Sequence, residues 1–82
     1  MRPTRALIDL SALRQNVRTI RTSLPPSTQM IAVVKANAYG HGAIPVSRAA
    51  LGAGADWLAV AIPEEGMELR AAGIRAPILV LG

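Results

Sequence analysis

Lys35 is the only lysine in the 82-residue chain, and it ends an apolar run, Met30-Ile31-Ala32-Val33-Val34. Positive charge elsewhere is supplied by eight arginines, so lysine has no general solvating role here. Burial penalises the charged form of an amine. A lysine partly withdrawn from water therefore carries more of the neutral form, the nucleophile that condenses with an aldehyde. The chemistry this suggests is Schiff-base formation. The plain alternative is a strand-end lysine whose stem lies along the sheet while its head reaches solvent.

The residues that follow Lys35 are Ala36-Asn37-Ala38-Tyr39-Gly40-His41-Gly42. Two glycines bracketing a histidine do not continue a strand and mark a loop that leads to the next helix. Asn37 and His41 suit side-chain to backbone hydrogen bonds that order such a loop. The apolar run before Lys35 reads as a strand buried on both faces of a parallel sheet. Side chains alternate along a strand, so Lys35 is expected to share a face with Ile31 and Val33 and to point with core residues, while Ala32 and Val34 face the other way.

The elements that would position this segment follow from punctuation and periodicity. Ala6–Ile8 reads as a short strand. Ser11 is a candidate N-cap for a helix running to about Ser23, where Pro25-Pro26 ends it. Leu13, Val17, Ile20 and Leu24 form its apolar stripe, with Arg14, Arg18 and Arg21 on a solvated face beside it. After the Met30–Lys35 strand, a second helix is expected over about Ile44–Leu51, with Pro45 in its first turn and Gly52 or Gly54 to end it. Trp57–Ala61 is the next strand, with Trp57 a core residue. A third helix follows, with Pro63 near its start, Glu64 and Glu65 at the positive end of its dipole, Arg70 near the negative end and Gly73 as the C-cap. Pro77 introduces a last strand, Ile78–Leu81. Asp9 and Asp56 stand where caps and turns use carboxylates. Strands separated by single helices make βαβ units and an α/β fold with parallel strands. Spacing alone leaves a closed barrel and an open doubly wound sheet as alternatives, because both use this unit.

Composition bounds the function. The chain has no cysteine and one histidine, which excludes a disulfide framework, a thiolate metal site and a multi-histidine metal site. Net charge is +4 and the sequence pI about 11.2. That charge invites a nucleic-acid reading, but the arginines of the first helix flank an apolar stripe, and Tyr39 and Trp57 are the only aromatics available for stacking on bases. No nucleic-acid partner is expected. Nowhere do 18 consecutive apolar residues suggest a membrane span, and Asp9 follows too soon after Arg5 for a secretory leader, so the expectation is a cytoplasmic protein without membrane attachment.

Ala32–Gly42 resembles the pyridoxal-phosphate attachment motif of bacterial alanine racemases, in which the lysine is followed by Ala-Asn-Ala-Tyr-Gly-His-Gly; the stretch matches without departure. Ile8-Asp9-Leu10-Ser11-Ala12-Leu13 with Asn16 resembles the opening of that family. Gly52–Val60, Glu64-Glu65 and Pro77–Gly82 resemble its later segments, so the likeness runs through nearly the whole chain. The resemblance implies a fold-type III pyridoxal 5'-phosphate enzyme built on a (β/α)8 TIM-type barrel. Lys35 would hold the cofactor as an internal aldimine and act as one of two proton-transfer bases, and the Tyr39 hydroxyl would contact the cofactor phosphate. It further implies alanine as substrate and a homodimer, with the second base, a tyrosine, coming from the partner subunit's C-terminal β-domain. Another fold-type III amino-acid racemase is the neighbouring reading, and a non-catalytic pyridoxal-phosphate-binding remnant is the reading of a different class.

A complete barrel needs about 250 residues. Residues 1–82 are therefore read as the N-terminal portion of the cofactor-binding barrel domain of a longer enzyme, incomplete in this chain and without the C-terminal β-domain. Alone, the chain is expected to be inactive.

Overall fold

The computed structural model describes residues 10–34 and 43–82. The expected Ala6–Ile8 strand, Asp9 and the whole of Lys35–Gly42 lie outside the described residues. Six elements alternate along the chain: α1 (Leu10–Ser23), β1 (Ile31–Val33), α2 (Ala43–Ala53), β2 (Trp57–Val60), α3 (Pro63–Ala71) and β3 (Ile78–Val80). The strands form one parallel sheet in the order β1-β2-β3. Ile31, Ala32 and Val33 pair with Trp57, Leu58 and Ala59, while Leu58, Ala59 and Val60 pair with Ile78, Leu79 and Val80.

Register and alternation sort the sheet into two faces. Ala32, Val34, Leu58, Val60 and Ile78 share one face, and all five belong to a cluster that includes Ala43 and Ile44 of α2, Leu69 of α3 and Ile74. Gly66 of α3 lies on the same face: a methyl group there would rest 3.5 Å from Ile78 Cγ2 and 3.8 Å from Val60 Cγ2. A second cluster joins Val17 and Leu13 of α1 to Ala50 and Ala53 of α2, with Met30 and Ala32 at its border. Successive helices thus cover the same side of the sheet.

The opposite face carries Ile31, Val33, Trp57, Ala59 and Leu79; it is open at Ile31, Val33 and Leu79, while Ala59 on the central strand is fully buried. Ile31 is 48% exposed and Val33 64%. The expectation that the Ile31 and Val33 side of β1 points with the core is therefore corrected: the covered side is that of Ala32 and Val34. The reason is topological, because strands laid down in sequential order return every helix to one side. Trp57 is likewise half-buried rather than core.

Helix boundaries follow local chemistry. α1 includes Ser11 inside its first turn, so Ser11 is not the N-cap. Its inner stripe is Leu13 and Val17; Ile20, expected to join them, is 50% exposed. α2 and α3 end in the same way. Gly54 has φ +134°, with Ala55 N–H donating to Ala50 O and Gly54 N–H to Leu51 O. Gly73 has φ +91°, with Ile74 N–H donating to Leu69 O and Gly73 N–H to Arg70 O. These paired 6→1 and 5→2 bonds are Schellman motifs, each tied by an apolar contact across the helix end. The strands are shorter than expected, three to four residues each. Ladder bonds still extend past β1 and β3 through Val34 N–H and Leu81 N–H. No helix among the described residues is long and apolar enough to cross a membrane.

Gly73→Ala has open space for the methyl and meets only the backbone strain of a left-handed residue, about 1–2 kcal/mol. Gly54→Ala meets backbone strain and also places Cβ 2.9 Å from Arg21 Cγ, so it costs more in a denaturant titration of the chain. Ser47 is fully buried on α2 and its Oγ has no hydrogen-bond partner among the described residues. Ser47→Ala removes an unsatisfied hydroxyl and improves helix propensity, and is expected to stabilise by about 1 kcal/mol. A lower denaturation midpoint for that variant would show that the hydroxyl is satisfied.

Candidate active site at the carboxyl edge of the sheet

Parallel strands end together, so the carboxyl ends of β1, β2 and β3 make one edge, and in an open or closed α/β sheet this edge receives ligands. Short backbone bonds tie the strand ends together. Val34 N–H donates to Ala59 O at 2.8 Å, Leu81 N–H to Val60 O at 2.8 Å and Gly82 N–H to Ala61 O at 3.0 Å. The chain leaves this edge at Val34 and re-enters the described structure at Ala43, the first residue of α2. Val34 is 3% exposed and Ala43 1%, and both belong to the same core cluster. The eight residues between them are Lys35 through Gly42, which include both candidate site residues, Lys35 and Tyr39. Their two attachment points are thus fixed in one core, at the edge where the fold positions chemistry.

Glu65 holds the neighbouring turn. Its Oε1 accepts from Ala61 N–H at 2.7 Å and from Ile62 N–H at 3.2 Å. This is the returning half of a capping box: a glutamate at the third helical position satisfies the amides that precede α3. Sequence reasoning assigned Glu64 and Glu65 together to the helix dipole. Glu65 has this second, more specific task, and the signal for it is the three-residue spacing from the cap position Ile62 with Pro63 between. Glu64 is exposed.

The opposite, amino edge has its own carboxylate. Asp56 Oδ2 accepts from Met30 N–H at 2.8 Å and from Arg21 Nη1 at 3.2 Å, while Arg21 Nη2 donates to Pro25 O at 2.9 Å. One carboxylate thereby joins the end of α1, the entry to β1 and the turn before β2. Met30 O accepts in return from Asp56 N–H and Trp57 N–H. Arg21, expected on a solvated face with Arg14 and Arg18, is diverted to this clamp. Among the described residues no group of three or more histidine, cysteine, aspartate or glutamate side chains could hold a metal ion.

A sequentially ordered parallel sheet, covered by helices on one side and apolar on its open side, is the beginning of a (β/α)8 barrel, whose interior that open side becomes. Residues 8–82 match the family described as alanine racemase, N-terminal domain, and the chain belongs to that family. It is 58% identical over 82 residues to an alanine racemase of Symbiobacterium thermophilum, covering all of this chain and 22% of that one. It is 61% identical over 75 residues to an alanine racemase of a Synechocystis species, covering 92% of this chain and 20% of that one. The crystal structure of alanine racemase from Bacillus anthracis with bound L-Ala-P superposes with a TM-score of 0.84 at 53% identity, over 92% of this chain and 19% of that one. The alanine racemase of Enterococcus faecalis gives 0.84 at 47% identity, over 92% and 20%. The chain therefore spans about a fifth of the length of the relatives it matches.

Replacing Glu65 with alanine strands two amides at the carboxyl edge and is expected to cost about 1 kcal/mol, while Glu65→Gln retains most of the stability. Amide exchange reads the effect locally: Ala61 and Ile62 should exchange faster in Glu65→Ala. Unchanged protection of both would show that the carboxylate does not hold the turn.

Proposed function

We propose that this chain supplies the first, cofactor-bearing segment of a pyridoxal 5'-phosphate-dependent alanine racemase that interconverts L- and D-alanine. In this reading residues 1–82 form the opening of the cofactor-binding barrel domain of a longer, homodimeric, cytoplasmic enzyme. The observation that carries it is the junction at Val34: in a member of the alanine racemase family, the only lysine of the chain follows directly on a strand that ends at the carboxyl edge of the sheet.

The donor set suits the cofactor. Pyridoxal phosphate offers an aldehyde and a phosphate, and the Lys35–Gly42 segment offers one primary amine and one phenol. Strand alternation supports a Lys35 side chain on the Ile31 and Val33 side, which would be the barrel interior. Lys35 Nζ would hold the cofactor covalently. Tyr39 would donate its hydroxyl proton to a phosphate oxygen, a charge-assisted bond. When bound, the cofactor's conjugated ring takes up the electron pair left on the substrate α-carbon as its proton departs.

The Lys35 amine would stand beside the substrate α-carbon and accept or return its proton on one face. Inversion needs a second proton donor on the opposite face of the α-carbon. In this reading that donor lies outside these 82 residues, on the partner subunit.

Reduction with borohydride after incubation with pyridoxal phosphate tests the attachment. A pyridoxyl mass addition is expected on the peptide containing Lys35; since there is no other lysine, addition at the α-amino terminus alone would overturn the assignment. In a racemase carrying this segment, Lys35→Arg keeps a positive charge but offers no neutral amine, and racemisation should fall by at least about 10²–10⁴-fold. Near-normal turnover by that variant would refute the role of Lys35.

A further inference from the structure

We draw no further inference here: the strongest candidate, the open sheet face of Ile31, Val33 and Leu79 with the bare β3 edge and the adjoining groove beside Met67, restates the barrel fold already assigned, because further strands and helices of a barrel cover it and nothing in the structure points to any other occupant.

Discussion

The packing of every described helix against one side of the sheet is the constraint from which the rest of the structure follows. Leu58 and Val60 sit at its centre, both fully buried, in a cluster that contains Leu69 of α3 and Ala43 of α2. That arrangement fixes which side chains of each strand are covered and leaves the alternate set as an apolar lining. It also sends all three carboxyl ends to one edge. Burial of a leucine or valine side chain is worth about 1.5–3 kcal/mol, so a handful of such residues is enough to set the registers on which that edge depends. Small residues make the close approach possible. The α1–α2 seam is built largely on Ala50, Ala53 and Ala55, and α3 meets β2 and β3 at Gly66, where a methyl group would already be in contact with Ile78 and Val60.

The two edges of the sheet are maintained by different chemistry. At the amino edge a single carboxylate, Asp56, ties together three segments distant in sequence, with Arg21 as its counter-ion. Both side chains are partly exposed, so the geometric role of this pair outweighs its Coulombic one. At the carboxyl edge the ties are backbone bonds and the Glu65 cap, with no ion pair recorded there among the described residues. Among the described residues the recorded ion pair, Arg21 with Asp56, lies at the amino edge.

The α/β alternation, the helix end at Gly73 and the start of α3 at Pro63 were legible in the sequence, because each rests on a local signal: proline geometry, glycine at positive φ, or a strand-length apolar run; for the end of α2 the sequence left Gly52 and Gly54 as alternatives, and Gly54 takes the role. For Lys35–Gly42, which lies outside the described residues, the sequence offers a different kind of signal, a residue-by-residue likeness to a family motif. What the sequence did not disclose depends on contacts between distant elements. Which face of β1 is covered is decided by where α2 and α3 return, not by the composition of Met30–Val34, which is apolar on both faces. Ile20 fits the period of the α1 stripe, yet α2 covers that stripe only on the side of Leu13 and Val17. Arg21 looks like its neighbours Arg14 and Arg18, and only the turn carrying Asp56 sets it apart.

The anchoring of Val34 and Ala43 in one core has a consequence for how the segment between them can vary. A chain held at both ends behaves as a closed loop, and the entropy of closing such a loop changes slowly with length, by about 0.6 kcal/mol per doubling. Adding or removing a residue between the two anchors therefore changes the closure cost little. The frame that Val34 and Ala43 provide is thus tolerant of how many residues join its two ends.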